Sequence, residues 1–157
     1  MATDPDYVID TNALVDLWRR SYPRDVFSTL WGSLEQMVDS GFVIAPWEVY
    51  RELDKVDDEL LDWAKGHKPM FIQFDEDLQS TLTSVLSDFQ ELVNLDAMGP
   101  DADPYIVALA RDNACTVITQ ENKAGPGGKA KIPNVCDHYS VNCLNLIEFF
   151  REQSWSF

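Results

Sequence analysis

The segment YVIDTN, residues 7–12, joins a short apolar run to a polar turn. Its first three residues are β-branched or aromatic, which is typical of a short buried strand. Thr11 and Asn12 are turn and N-cap residues, and residues 13–18 then predict a helix. The carboxylate of Asp10 therefore lies where a buried strand gives way to a helix. Ligands of open α/β sheets bind at this end of the strands, although the simplest interpretation of a lone Asp is an N-cap.

Length and composition indicate one globular domain spanning residues 1–157, with 45% hydrophobic and 11% aromatic residues. No apolar run reaches the roughly 18 residues of a membrane helix, and residues 1–6 lack the basic and apolar regions of a secretory signal. The three cysteines include no CxxC pair, which favours reduced thiols in a cytosolic core. We therefore expect a cytoplasmic protein with no membrane partner, no zinc and no cysteine chemistry.

The chain is strongly acidic, with 27 acids against 12 bases and a formal net charge of −15. This balance argues against a large basic surface for duplex nucleic acid. It permits a basic partner and suits a site for cations, although an excess of acids also serves simply to keep a protein soluble.

Short apolar segments alternate with segments of helical periodicity along the chain. Strands are predicted at residues 7–9, 42–45, 70–74, 115–118 and 141–143. Helices are predicted at residues 13–18, 25–40, 46–53, 57–65, 75–93, 104–110 and 144–153, a compact turn or short helix at residues 132–139, and a loop at residues 94–100. Pro46 is expected at the first position of its helix, where its missing N–H costs nothing. This alternation is typical of a mostly parallel sheet covered on both faces, a three-layer α/β/α sandwich.

Four carboxylates fall on turns or helices beside the edge where the predicted strands end: Asp10, Glu52, Asp103 and Glu121. Each alone has a plainer explanation, since Glu52 suits a solvated helix face, Asp103 an N-cap and Glu121 a loop. At close quarters the four would repel one another and in part take up protons. A hard divalent cation such as Mg²⁺ or Mn²⁺ removes that conflict, because it prefers oxygen ligands and bridges to phosphate oxygens. The set therefore indicates metal-assisted hydrolysis of phosphodiester bonds.

The same segments carry a resemblance to a known family. VIDTN at residues 8–12, VYREL at 49–53, DPYIVALA at 103–110 and VITQE at 117–121 follow the order of motifs in the PIN-domain nucleases. Within that family the chain resembles the stand-alone prokaryotic toxins of VapC type. It is similar in particular to an uncharacterised PIN-like branch in which a Gly/Lys loop and the stretch IPNVC, here residues 132–136, precede the last helix.

The resemblance implies a five-stranded parallel sheet and a Mg²⁺- or Mn²⁺-dependent endoribonuclease. Asp10, Glu52 and Asp103 match the three acids of the family's metal site. Asp101 is the alternative to Asp103. The latter is preferred because it stands three residues before Ile106, which is the spacing in the family.

The resemblance also implies roles for further polar residues around that site, and it implies partners for the protein. Glu121 falls where many family members have Asp, which leaves open whether it binds metal directly and whether a second metal binds. Thr11 or Asn12 matches the small polar residue that hydrogen-bonds near the metal. The resemblance also implies an RNA substrate, a homodimer and an antitoxin that inhibits the protein. The protein would then be the toxin of a toxin-antitoxin pair.

Three other interpretations fit parts of the pattern. A haloacid-dehalogenase-type phosphatase needs a second Asp two residues after Asp10, where this chain has Asn12. A receiver domain needs an acidic pair at the end of its first strand, where this chain has one acid. The third, a PIN fold that no longer cleaves and binds RNA or protein instead, stays open because of Glu121 and the net charge of −15.

Residues 122–131 form a segment rich in glycine and lysine. Its lysines are Lys123, Lys129 and Lys131. The glycines predict a mobile loop with few ordered contacts. Because the segment starts directly after Glu121, we expect its lysines to contact substrate phosphates beside the acids. The alternative is a solvated connector, and Arg19, Arg20 and Arg51 are then the next candidates for binding the substrate.

Overall fold

A computed structural model of the chain describes residues 4–56, 58–92 and 102–157. Five strands in these ranges form one sheet: β1 (Tyr7–Ile9), β2 (Val43–Pro46), β3 (Phe71–Ile72), β4 (Thr116–Ile118) and β5 (Cys143–Leu144). Their order is β3-β2-β1-β4-β5, and every neighbouring pair is parallel. The predicted α/β architecture with a five-stranded parallel sheet is confirmed. The predicted loop at residues 94–100 and the alternative acid Asp101 lie outside the described residues.

Eight α-helices occur in the described ranges. They are α1 (Thr11–Val15), α2 (Ser28–Asp39), α3 (Trp47–Val56), α4 (Asp58–Lys65), α5 (Glu76–Asp88), α6 (Asp103–Asn113), α7 (Ile132–His138) and α8 (Leu146–Glu152). A π-helical turn at Asp16–Arg20 continues α1, and short 3₁₀ turns lie at Lys68–Met70 and Gln90–Leu92. None of the helices there combines the length and the hydropathy needed to cross a bilayer.

The two central strands lie inside the core. Val8, Ile9, Val117 and Ile118 have no exposed surface, and the register pairs Val8 with Val117 and Ile9 with Ile118. Burial on both faces explains why these strands are continuous apolar runs. Each fully buried Val or Ile contributes about 1.5–3 kcal/mol to folding, so the runs fix the positions of the polar residues that follow them.

Several predicted element boundaries differ from the observed ones, and two of these differences concern Pro46 and the first helix. Pro46 does not open a helix, because it is the last residue of β2 and is paired in register with Ile72 of β3. The fixed φ of proline suits an extended strand end as well as a helix start, so the strand pairing decides between them. The helix predicted at residues 13–18 begins earlier, at Thr11, and gives way to the π-helical turn after Val15.

The strand order creates a switch point in the middle of the sheet. The chain passes from β1 outward through β2 to β3, and then returns to place β4 on the other side of β1. The carboxyl ends of β1 and β4 therefore flank the crevice at which open α/β sheets bind ligands. Asp10 directly follows β1 and Thr119 directly follows β4.

Candidate functional site

A cleft of about 370 Å³ opens at the carboxyl ends of the central strands. Four acids line it: Asp10, Glu52, Asp103 and Glu121. In this order they lie directly after β1, on α3, at the start of α6 and in the segment after β4. Thr11 and Asn12 line the same cleft. The structure thus brings together the four acids and both small polar residues that the sequence analysis singled out.

Asp10 is the most deeply buried of these acids, with 3% of its surface exposed. It precedes α1 as N-cap residue, yet its side chain makes no capping hydrogen bond. Its Oδ2 instead accepts a hydrogen bond of 2.7 Å from Thr119 Oγ1. Burial raises the pKa of Asp10 from 3.8 to about 7. Hydrogen bonds from Thr119 and the Thr11 backbone oppose this shift, and the charges of Glu121 and Glu52 add to it. Near neutral pH this carboxyl group is therefore partly protonated unless a cation compensates its charge.

Glu52 joins three helices through its carboxylate. Its Oε2 accepts a hydrogen bond of 2.6 Å from Thr11 Oγ1, at the start of α1. Its Oε1 accepts one of 2.9 Å from the backbone N–H of Ala102, the N-cap residue of α6. Asp103, for which an N-cap was the plainer alternative, is instead the first residue of α6, after the N-cap residue Ala102. Glu52 of α3 therefore accepts a backbone N–H at the start of α6, a role that the side chain of a local N-cap residue often has.

Glu121 is anchored to the helix that follows the glycine-rich loop. Its Oε2 accepts a hydrogen bond of 3.1 Å from the backbone N–H of Ile132, the first residue of α7. The carboxylate thus bridges the two ends of the segment 122–131. The glutamate side chain thereby holds the start of α7.

Thr119 is a site residue that the sequence analysis missed. It is 1% exposed, donates to Asp10, and its Oγ1 accepts a hydrogen bond of 3.1 Å from the backbone N–H of Glu121. The next backbone N–H, of Gln120, donates to Oδ1 of Asn12 at 3.0 Å. A polar residue directly after a fully buried strand was the available signal, because such a side chain must find a partner inside the protein.

The loop at residues 122–131 has more ordered contacts than its glycines predicted. The side-chain amide of Asn134 accepts from the backbone N–H of Ala124 at 2.9 Å and of Lys131 at 3.0 Å, and donates to the Ala124 carbonyl at 3.2 Å. Lys123 forms an exposed ion pair of 2.7 Å with Asp137. The three lysines are exposed, and none of them lines the acidic cleft.

The carboxylates do not form a finished metal cage. Within residues 4–56, 58–92 and 102–157, no three His, Cys, Asp or Glu side chains stand close enough together to hold an ion. Asp10 and Glu121 each use one carboxylate oxygen for a hydrogen bond within the protein, and Glu52 uses both. The donors are nevertheless all carboxylate oxygens, which suit hard cations such as Mg²⁺ and Mn²⁺. The chemistry of the donor set fits such a cation, and the side chains would have to turn inward to surround it.

Comparison with known proteins identifies the family and the fold. The chain belongs to the family described as Domain of unknown function (DUF4411), whose model matches residues 7–157. No curated protein matches the chain. Among solved structures it is similar to FitAcB from Neisseria gonorrhoeae, with a TM-score of 0.53 and 17% sequence identity over 88% of this chain and 96% of that chain. At this identity the likeness concerns the fold, which is PIN-like.

A fifth acid lies one helical turn before Glu52 and outside the cleft lining. Glu48 is 8% exposed, and its Oε2 has no hydrogen-bond partner among the described residues. Burial raises the pKa of Glu48, and the nearby charge of Arg51 opposes that shift. The ionised side chain therefore costs folding stability at neutral pH.

Replacing Glu48 by Gln is expected to raise the melting temperature at pH 8. The folded pKa lies above the unfolded value, so the wild type loses stability as the pH rises above the unfolded pKa, whereas Gln does not ionise. The gain should shrink at pH 4, where the wild-type side chain is largely neutral in both states. Thermal unfolding at the two pH values measures this, and an equal shift at both would show that charge is not the cause.

Proposed function

We propose that this protein is a metal-dependent endoribonuclease that hydrolyses phosphodiester bonds of RNA in the acid-lined cleft. The observation that carries the proposal is that four carboxylates from four separate segments line one cleft at the switch point of the sheet. The PIN-like fold supports it, as does the resemblance of the sequence to PIN-domain nucleases.

Asp10, Glu52 and Asp103 would hold a Mg²⁺ or Mn²⁺ ion, with Glu121 as a further direct or water-mediated ligand. When bound, such an ion activates a water molecule and offsets negative charge on the phosphate. The chain's own groups prepare the ligands. Thr119 orients Asp10 by donating to Oδ2, and Thr11 orients Glu52 by donating to Oε2. Asp10 would release its proton when the ion binds, because the opposite charge favours the carboxylate form.

Calorimetric titration with Mn²⁺ tests the cation site. The wild type is expected to bind Mn²⁺, and the double variant Asp10→Ala, Asp103→Ala to lose that binding, because two of the proposed ligands are gone. Asp62→Ala removes an exposed acid of α4 and is the matched control, which should bind as the wild type does. Unchanged binding by the double variant would remove these two acids from the site.

Cleavage of a labelled single-stranded RNA by the purified protein tests the activity. We expect cleavage in Mg²⁺ or Mn²⁺, none in EDTA, and none by Asp10→Asn. The competing hypothesis is a PIN-like module that binds RNA or protein without cleaving. It is favoured by the absence of a convergent three-ligand cluster among the described residues, and by the use of Glu121 to hold Ile132. RNA binding without metal-dependent cleavage would support that hypothesis and contradict ours.

We further propose the assembly that the resemblance to VapC-type toxins implies, a homodimer acting as the toxin of a toxin-antitoxin pair. An antitoxin that inserted an Arg or Lys into the cleft would offset the same carboxylate charge as a metal ion does. Expression of the wild type in bacteria should then arrest growth, whereas Asp10→Asn should not. Light scattering should give twice the monomer mass. Growth unaffected by an active enzyme would argue against a toxin.

Replacing Lys123, Lys129 and Lys131 together by Gln is expected to weaken RNA binding and flatten its dependence on salt. Removing one lysine–phosphate interaction lowers the slope of log K against log salt by about 0.7 for a single strand. Lys123 should contribute least, since it already pairs with Asp137. Fluorescence anisotropy measures binding, and Lys65→Gln on α4 is the control. An unchanged salt slope would mean that the loop only connects Glu121 to α7.

A further inference from the structure

One basic side chain lies among the acids of the cleft. Arg20 lines it together with Asp10, Glu52, Asp103 and Glu121. It is exposed, and none of the ion pairs in the part of the chain that the structure describes includes it. A guanidinium whose function was to neutralise these carboxylates would pair with one of them, because bidentate contacts to carboxylates are among its strongest. This arginine is therefore available to a ligand.

The backbone that carries Arg20 has an unusual conformation. Residues 16–20 form a π-helical turn, which the backbone N–H of Ser21 closes by donating to the Asp16 carbonyl at 2.9 Å. Such turns interrupt α-helices rarely and often occur at functional sites. Here the turn follows α1 directly, so Arg20 is carried by the same element that begins at the Asp10 end of the cleft.

The turn is tied to the segment that holds the other site residues. Asp16 Oδ2 accepts a hydrogen bond of 2.7 Å from Gln120 Nε2, and its Oδ1 accepts one of 2.9 Å from Ser21 Oγ. The Oε1 of Gln120 in turn accepts from the backbone N–H of Leu146 at 2.9 Å. These hydrogen bonds hold the base of the turn beside Thr119, while the guanidinium at its end stays exposed in the cleft. A fixed backbone lowers the entropy cost of using that side chain in binding.

We propose that Arg20 binds a phosphate oxygen of the RNA strand in the cleft and so acts as a substrate-binding residue. This inference rests on the proposed ribonuclease activity. A chain of net charge −15 with an acid-lined cleft repels a polyanion, so the strand needs a cation at the site besides the metal. A guanidinium meets this need with two parallel hydrogen bonds to one phosphate. Arg20 lies in the cleft, whereas the three loop lysines do not line it.

Steady-state cleavage of a single-stranded RNA in Mg²⁺ by Arg20→Gln, Arg20→Lys and Arg19→Gln tests this inference. Arg19 is the matched control, since it is exposed on the same turn but does not line the cleft. We expect Arg20→Gln to raise KM about tenfold and to lower the salt slope of RNA binding by about 0.7. Arg20→Lys should fall between it and the wild type, because lysine keeps the charge and loses the bidentate contact. The kcat, Mn²⁺ affinity and melting temperature should stay as in the wild type.

The outcomes separate this inference from the function on which it rests. If the wild type cleaves RNA and Arg20→Gln has an unchanged KM, Arg20 does not contact the substrate and the ribonuclease proposal stands. Equal effects of Arg19→Gln and Arg20→Gln would show a general charge effect and overturn the specific contact. If Arg20→Gln failed to bind Mn²⁺ or had a lower melting temperature than the wild type, Arg20 would have a structural role, and the proposed substrate contact would be overturned. A wild type that neither binds nor cleaves RNA overturns both proposals.

Discussion

Asp10→Asn is expected to abolish RNA cleavage and at the same time to raise the melting temperature of the metal-free protein. Activity should fall at least about 100-fold, because the substitution removes a carboxylate from the proposed cation site. Stability should rise because burial holds the pKa of Asp10 at about 7, well above its ordinary value of 3.8. Ionising the group in the folded protein therefore costs free energy, and the neutral amide avoids that cost.

The dependence of this gain on pH follows from the direction of the shift. Because the folded pKa is raised, the wild type loses stability as the pH rises from about 4 to about 7, and the full penalty applies above pH 7. At pH 8 Asn should stabilise the protein by about 1–3 kcal/mol, less than the roughly 4 kcal/mol that the pKa shift corresponds to, because the contact with Thr119 changes. Thermal unfolding in EDTA at pH 4 and pH 8 measures the difference. A variant that is less stable than the wild type at pH 8 would contradict this view of Asp10.

Glu52→Ala is expected to abolish cleavage as well, but to lower stability. Both carboxylate oxygens of Glu52 accept hydrogen bonds, from Thr11 and from the backbone of the fully buried Ala102. Alanine leaves the Ala102 N–H without this acceptor, which costs about 1–3 kcal/mol for a buried donor. Relief of repulsion with Asp10 offsets part of that loss. Asp10→Asn and Glu52→Ala should thus change stability in opposite directions, although both should abolish cleavage.

Glu52→Gln is the matched variant for this prediction. It keeps the size of the side chain and one oxygen acceptor, and the Thr11 hydroxyl can rotate to accept from the new amide. We therefore expect Glu52→Gln to be more stable than Glu52→Ala and equally inactive. Urea unfolding at pH 7.5 compares the two. If the alanine variant were as stable as the wild type, Glu52 would not hold the start of α6.

Local sequence patterns were enough to predict the sheet and to place Asp10. A buried strand followed by a carboxylate and a helix needs only neighbouring residues to be recognised, and the switch point then puts Asp10 at the cleft. The same local rules misplaced Pro46, because proline suits both a helix start and a strand end. The pairing of Pro46 with Ile72, distant in sequence, decides the outcome.

The parts of the site that escaped prediction depend on contacts between distant segments. An N-cap was the alternative interpretation of Asp103, but Ala102 precedes α6 instead, and its backbone N–H donates to Glu52, which lies 50 residues earlier in the sequence. Thr119 lies 109 residues from Asp10, and no local pattern distinguishes it from a strand-end threonine with another partner. The hydrogen bond from the backbone N–H of Ile132 to Glu121 could not be predicted for the same reason, since the fold brings these two residues together across the loop at residues 122–131.

The chemistry of the RNA ends decides whether the acidic cleft is a hydrolytic metal site. Mass spectrometry of products formed by the wild type and by Asp10→Asn, in Mn²⁺ and in EDTA, reveals which nucleophile attacked the phosphate. A water activated at a metal site leaves a linear phosphate monoester, whereas attack by the ribose 2′-hydroxyl leaves a 2′,3′-cyclic phosphate. We predict that the wild type gives products with linear phosphate ends in Mn²⁺ and no products in EDTA. Asp10→Asn should give no products in either condition. Cyclic ends, cleavage in EDTA, or equal cleavage by Asp10→Asn would contradict a metal-assisted nuclease at this site.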